Sequence, residues 1–199
     1  MHARVVISHL RPGKQEEAIR YVEESVAANK QEAGFKGQLF LIAQESGKVL
    51  SITLWQEEAH LHATHPAFQE RVAGAAHLGT SGGALTPEVY EVAVQDFQQG
   101  QLPMYARVST FHTRPGKTNE DVELFRESVL PLTRQQQGFK GVLYLTDASN
   151  DKGLMITLWE VEAHVKASAG GSYQQQLAPH VPRLARSPLI EVYQVHIRE

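Results

Sequence analysis

The stretch Ile52-Thr53-Leu54-Trp55 returns in the second half of the chain as Ile156-Thr157-Leu158-Trp159. Each copy joins β-branched and aliphatic residues to a terminal tryptophan, a composition typical of a β-strand. Other segments return around these two in the same order, namely 9–14 as 112–117, 34–37 as 138–141, 58–60 as 162–164 and 88–90 as 191–193. Such recurrence indicates a tandem duplication, so we expect both halves to fold as the same unit.

The composition favours a globular protein. The chain has 199 residues, 42% of them hydrophobic, and a net charge of −3 from 19 basic and 22 acidic side chains spread along its length. No basic stripe is present, so we expect no nucleic-acid partner. No apolar run approaches the ~20 residues that span a bilayer, so we expect no membrane partner and a cytoplasmic location. The absence of cysteine excludes disulfides, thiolate nucleophiles and cysteine-ligated metals.

The two predicted domains are 1–95 and 104–199, joined by a linker at 96–103. Each is expected to follow the order β-α-β-β-α-β. In the first copy, a strand over 4–10 stops at Arg11-Pro12-Gly13, and Ile19, Val22 and Val26 then recur at helical spacing. Hairpin strands are predicted at 38–44 with 49–56 and at 142–148 with 153–160, and closing strands at 87–94 and 188–197.

The hairpin strands place apolar side chains on both faces, whereas a sheet with one wet face would alternate. Two helices cover one face of such a unit, so the other face must meet a surface of similar shape. The second copy is the natural partner. We therefore expect an α+β fold of two tandem ferredoxin-like βαββαβ domains, packed sheet to sheet as an intramolecular pseudo-dimer, and a further homodimer of the fused chain stays open.

The repeated motifs resemble the antibiotic-biosynthesis-monooxygenase (ABM) domain family over nearly the whole chain, twice. The resemblance is carried by Gly-Phe-Lys-Gly after the first helix, by Ile-Thr-Leu-Trp at the end of the hairpin and by Glu-Ala-His at the start of the second helix. It implies a dimeric α/β barrel built from ferredoxin-like folds. Members range from cofactor-independent oxygenases of phenols and quinols to haem-degrading enzymes.

Two branches of this family can be compared with the sequence. The haem-degrading pattern needs Asn, Trp and His at positions that hold Val6, Thr64 and Val72 in the first copy and Ser109, Ser168 and Gln176 in the second. The polyketide-oxidising branch is similar at Trp55 and Trp159, but its asparagine four residues earlier is Ser51 or Met155 here. We therefore expect no haem, flavin, metal or other cofactor.

Seven residues are candidates for a site. His9 and His112 hold the same strand position, and an imidazole with a pKa near ~6.5 could remove a phenolic proton. Their alternative role is a strand-end histidine bonded to a turn carbonyl. The candidates for binding an aromatic small molecule are Trp55, Trp159, Ser51, His60 and His164. The alternative role is core packing for the two tryptophans and shaping of the first turn of the second helix for the two histidines. No metal site is expected, because His60 and His62 face nearly opposite sides of a helix and no carboxylate completes a set.

The sequence therefore predicts a cofactor-independent monooxygenase that acts on an aromatic, quinol or polyketide-like small molecule. The alternative is a non-catalytic or stress-associated protein that binds a small molecule in the same fold. The two copies are expected to be inequivalent, since Ser51 corresponds to Met155.

Overall fold

The computed structural model describes residues 1–79, 85–98, 100, 102–168, 170 and 178–199, with backbone alone for 179–181. The chain divides into two compact units. The first unit consists of Met1–Tyr90 together with Gln194–Glu199, and the second consists of Glu91–Tyr193. Within the described residues, no helix is long and apolar enough to cross a membrane.

In its described residues, the first repeat contains four strands and three α-helices. They are β1 (His2–His9), α1 (Gln15–Asn29), β2 (Phe35–Ile42), β3 (Lys48–Trp55), α2 (Glu58–Ala63), α3 (His65–Gly74) and β4 (Glu88–Phe97). β1 ends before Pro12 and Gly13, and Gly13 has a φ of +76°, a conformation that glycine adopts without strain. This turn leads directly into α1. The helix packs over one face of β1, β2 and β3.

The second repeat contains β5 (Tyr105–His112), α4 (Thr118–Leu124), α5 (Leu130–Thr133), β6 (Phe139–Asp147), β7 (Lys152–Trp159), α6 (Glu162–Ala167) and β8 (Leu189–Arg198). A π-helical turn, Phe125–Val129, joins α4 to α5. The interval between Gly116 and Gly138 is one residue longer than that between Gly13 and Gly34. A π turn absorbs one extra residue in a helix, so it keeps the two ends of this helix in the register of α1.

All the strand pairs described are antiparallel. The strand order is β1-β3-β2-β8 in the first unit and β5-β7-β6-β4 in the second. The closing strand of each repeat thus hydrogen-bonds to the second strand of the other repeat. The two compact units therefore differ from the two repeats in which closing strand they contain, and the domains 1–95 and 104–199 stay a prediction. Of the predicted linker 96–103, Asp96 and Phe97 belong to β4, and residues 99 and 101 lie outside the described part.

The predicted α+β class with ferredoxin-like units is confirmed. The observed bounds of the hairpin strands differ from the predicted ones by a few residues. For example, β2 begins at Phe35 rather than at Gln38. Its register with β3 shifts between Phe35 and Gly37, so the Gly-Phe-Lys-Gly segment contains a β-bulge at the start of the strand.

Candidate functional site

A cavity of about 220 Å³ lies in the first unit, between the sheet and helices α1 and α3. The three strands supply the alternating residues of one sheet face, and the two helices form the opposite wall. Its polar lining is Arg4, Ser8, Tyr21, Ser25, Asn29, Gln38, Ser51, Thr53 and Arg71. Its apolar lining includes Val6, Leu10, Ala18, Val22, Phe40, Val49, Phe68, Val72, Ala75, Leu78 and Leu85.

The strand register divides the sheet side of the cavity into rows. Arg4 and Gln38 both lie opposite Thr53, which makes a polar row across three strands. The next row places Ser51 between Val6 and Phe40. Rows on one face are about 6.6 Å apart, since they lie two residues apart along a strand. On the sheet side, the cavity therefore has a cationic end. Its middle row is apolar apart from the hydroxyl of Ser51.

Arg4 is only 3% exposed. Its guanidinium donates to the carbonyl of Leu61 and to Oγ1 of Thr64, and lies 4.6 Å from the centre of the Phe68 ring. Its Nε is buried and has no hydrogen-bond partner in the described structure. Burial, and then the positive charge of Arg71, lowers the pKa of Arg4 to about 10. The side chain is still protonated at neutral pH, so the cavity holds a buried positive charge.

Arg71 reaches the same end of the cavity from α3. Its Nη2 donates to Oδ1 of Asn29 at 3.0 Å, and Nδ2 of Asn29 donates to Oε1 of Gln38 at 3.1 Å. The hydroxyl of Tyr21 donates to the Arg71 carbonyl at 2.7 Å and holds α3 against α1. These contacts connect Arg71 to the polar row of the sheet.

The charges of Arg4 and Arg71 are not balanced by acidic groups. No carboxylate belongs to the described lining, and neither arginine has a carboxylate partner within 4.0 Å in the described residues. The segments outside the described residues contain no Asp or Glu. A buried cation without a counter-ion is costly, so this cavity is suited electrostatically to an anion. Within the described residues, no cluster of three or more His, Cys, Asp or Glu could hold a metal ion.

Among the described residues of the second unit, aromatic and aliphatic side chains occupy the corresponding face of the sheet. Met155 holds the position of Ser51, and Phe111 holds that of Ser8 and lies over Gly153. The Tyr144 ring stacks between Phe111 and Phe125, with centroid distances of 5.4 and 4.9 Å. These rings join one hydrophobic cluster, against which Met155 packs. The two units thus share one arrangement of strands but differ in the side chains on the corresponding face of the sheet.

Neither of the two predicted catalytic histidines belongs to the described lining of this cavity. On β1 the alternate residues Arg4, Val6 and Ser8 face the cavity, so His9 is on the other face, where it is exposed opposite Lys48. His112 is half-buried, and the Arg186 guanidinium donates to its Nδ1 at 3.1 Å. The structure does not bring either histidine together with Ser51, and their catalytic role stays a prediction.

Trp55 and Trp159 are fully buried in equivalent positions. Their indole nitrogens donate to Thr53 and Thr157 at 3.1 and 3.0 Å, and their rings meet Phe35 and Phe139 edge to face, both at 5.7 Å. Trp55 does not line the cavity directly. It lies behind Arg4, whose guanidinium is 6.0 Å from the ring centre.

His60 and His164 are half-buried at the start of α2 and α6. Their rings lie against Gly34 and Gly138, outside the cavity lining. Of the predicted binding residues, Ser51 alone lines the cavity that the structure describes. Neither Arg4 nor Arg71 was predicted from the sequence. The signal for Arg4 was present, because a charged residue in an apolar strand recurs as Arg107.

Residues 104–179 match the family model for antibiotic biosynthesis monooxygenase (ABM). The match covers most of the second repeat and does not extend over the first. No curated protein sequence matches the chain.

Solved structures share the fold over the full length of the chain. A candidate monooxygenase from Fusobacterium nucleatum superposes with a TM-score of 0.78 at 13% identity, covering 100% of this chain and 93% of that one. A second, from Lactobacillus acidophilus, has a TM-score of 0.74 at 12% identity, with 99% and 94% covered. An anthrone oxidase-like protein has a TM-score of 0.70 at 15% identity, with 100% and 92% covered. At such identities the likeness establishes the fold alone.

Proposed function

We propose that the cavity of the first unit binds a small aromatic or quinol-like molecule and supports its oxygenation by O₂ without a cofactor. The observation that carries this proposal is the partly open, mainly apolar cavity with two arginines at one end. An engineered cavity of about 150 Å³ admits benzene. A cavity of about 220 Å³ has room for one or two rings.

The arginines supply the electrostatic part of the reaction. A positive charge beside a bound phenol lowers its pKa, and the effect is larger in a site that excludes water. The resulting phenolate is electron-rich and can transfer an electron to O₂ directly. Ser51, in the middle row, is placed to hydrogen-bond a ring oxygen.

The substrate itself supplies the electrons. A hydroquinone and one O₂ give a hydroxyquinone and one water, so one oxygen atom enters the ring and the other is reduced. No external reductant is needed in this balance. A relative described as anthrone oxidase-like shares the fold and agrees with a substrate of this type.

The test is oxygen uptake by the full chain with hydroquinone, methylhydroquinone and 1,4-naphthohydroquinone, in the presence of a metal chelator. Under ¹⁸O₂, we expect one labelled oxygen in the hydroxyquinone product. Ser51→Met, which copies Met155, is the matched inactive variant. Uptake that yields only unlabelled quinone and hydrogen peroxide, at the same rate with both proteins, is autoxidation and would refute the enzyme.

The alternative, a protein that binds the same molecules without turnover, rests on the same cavity. It predicts that 1,4-naphthohydroquinone protects the wild-type chain against thermal unfolding under nitrogen, with no labelled product under ¹⁸O₂.

A further inference from the structure

The hydrogen bonds at the cationic end of the cavity have a fixed direction. Arginine can only donate, so the contact from Arg71 makes Oδ1 the accepting atom of Asn29. Nδ2 of Asn29 must then donate to Oε1 of Gln38. The remaining group of Gln38 is Nε2, a donor with no partner in the described structure. The series of hydrogen bonds that begins at Arg71 therefore ends on a donor, Nε2 of Gln38.

The neighbouring groups of this row also offer donors. Nε of Arg4 is buried without a partner. Oγ1 of Thr53 accepts from the Trp55 indole, which leaves its own hydrogen to donate. Arg4, Thr53 and Gln38 belong to three adjacent strands and share one row of the sheet. Each of these three side chains has a donor without a protein acceptor in the described residues, so the row can bind an acceptor that a ligand supplies.

We propose that Arg4, Thr53 and Gln38, together with Arg71, form a carboxylate subsite, and that the ligand of this cavity is an aromatic acid. The ring lies over the next row, between Phe40 and Phe68, with its far end toward Val49 and Leu78. This inference rests on the proposed function for the location of the ligand, but binding alone tests it.

A carboxylate fits this row better than a single phenolate oxygen. Its two oxygens offer about four lone pairs, so they can accept from donors on both sides of Thr53. It is fully ionised at neutral pH, and it matches the guanidinium fork. Two arginines against one carboxylate leave one positive charge, which is available to a ring oxygen that ionises during oxygenation.

The second repeat provides a comparison. Arg107 and Thr157 recur in the equivalent row, but Val142 replaces Gln38, so the donor row is incomplete there. The recurrence of Arg4 as Arg107 indicates that this arginine also has a structural role, holding α2 through Leu61 and Thr64. Tests of the subsite therefore use Arg71 and Gln38 rather than Arg4.

The experiment is calorimetric titration of the full chain with 2-naphthoate and with its neutral isostere 2-naphthamide. We expect wild-type protein to bind the naphthoate about tenfold more tightly or better, in line with charged hydrogen bonds in a buried site. Arg71→Gln and Gln38→Val, the latter copying Val142, should each reduce this preference to about threefold or less while naphthamide affinity is kept. Arg20→Gln, on the exposed face of α1, removes the same charge outside the cavity and should keep the preference.

Equal affinities for the two probes in wild-type protein would overturn the subsite. So would a preference that survives in both variants, or the absence of binding of both probes at millimolar concentration. Naphthoate binding without oxygen uptake from hydroquinones would refute the oxygenase and leave the subsite standing. Labelled product from neutral hydroquinones without naphthoate binding would do the reverse.

Discussion

The imidazole of His60 lies directly over the Cα of Gly34, where a Cβ built on the glycine would be 2.6 Å from Nδ1. His164 repeats this contact on Gly138, where a Cβ would be 2.5 Å from Cγ. Both glycines have a positive φ, +78° and +75°. The Gly-Phe and Glu-Ala-His motifs of the sequence are thus two halves of one packing contact, which fixes the second helix on the start of β2.

Gly34→Ala is expected to destabilise the first unit by about 2–4 kcal/mol, since it adds left-handed strain to a clash with the imidazole. The free energy of unfolding, measured by urea denaturation, checks this value. In the double variant Gly34→Ala, His60→Ala the clash is absent, so the two losses should fall short of additivity by about 0.5–3 kcal/mol. Additive losses would show that the ring and the glycine do not interact.

The Tyr144–Asp121 pair gives a second prediction. The buried tyrosine donates to Oδ2 of Asp121 at 2.5 Å, and burial followed by this carboxylate raises the pKa of Tyr144 well above its usual value. Tyr144→Phe leaves a buried carboxylate without this donor and should cost about 1–3 kcal/mol of unfolding free energy.

The first repeat has Phe40 and Ala18 at the positions of this pair, so it provides the matched double variant. Tyr144→Phe with Asp121→Ala should be less destabilised than the sum of the two single variants, by about 0.5–3 kcal/mol in urea denaturation. A sum that is simply additive would contradict the coupling.

The ferredoxin-like units of the fold could be predicted from the sequence, because residues within each turn and hairpin determine its conformation. Gly13 ends β1 and the recurring Ile-Thr-Leu-Trp segment locates β3 in both copies. The pairing of the closing strands could not be predicted. Residues 88–90 and 191–193 are identical, so nothing local says whether β4 or β8 lies beside β2.

The site was harder to predict for a reason of strand geometry. β1 is apolar on both faces around Val5 and Val6, so its pattern does not say which face meets the helices. His9 and Arg4 are an odd number of residues apart and must face opposite sides. The sequence could rank a histidine above an arginine as a base, but only the helices over Arg4 show which face encloses a cavity.

The location of His9 leads to a third prediction. His9 lies on the face opposite the cavity lining, so His9→Ala should leave 2-naphthamide affinity within about twofold of wild type by calorimetry. His112→Ala is the matched variant in the second repeat. A loss of hydroquinone turnover in His9→Ala alone, with affinity intact, would support its predicted role as a base. A tenfold loss of affinity would contradict its location outside the ligand site.

Filling the cavity is the fourth prediction. Ser51→Met introduces the side chain that Met155 carries in the second unit, and its thioether would occupy the middle row. We expect 2-naphthamide affinity to fall by about tenfold or more and the free energy of unfolding to rise by about 0.5–2 kcal/mol, as for other cavity-filling changes. Met155→Leu, at the same position of the second repeat, should leave binding unchanged. Wild-type affinity in Ser51→Met would place the ligand elsewhere.

The last prediction concerns the pH dependence of naphthoate binding. The folded chain holds the pKa of Arg4 at about 10, below the ordinary value for arginine, so keeping this side chain charged costs stability below pH 10. The cost is relieved as pH rises above about 10 toward the ordinary pKa of arginine, because the folded protein then releases the proton before the unfolded chain does. A bound carboxylate offsets the same cost, so naphthoate should raise the melting temperature throughout the neutral range.

The carboxylate stays ionised above about pH 5. Affinity should therefore be constant between about pH 6 and 9 and weaken above about pH 10, as Arg4 loses its charge, while naphthamide affinity changes little over that window. Titrations of both probes at pH 7, 9 and 10.5 measure this difference. A naphthoate affinity that already falls between pH 6 and 8 would point to a histidine as the cation and would remove Arg4 from the subsite.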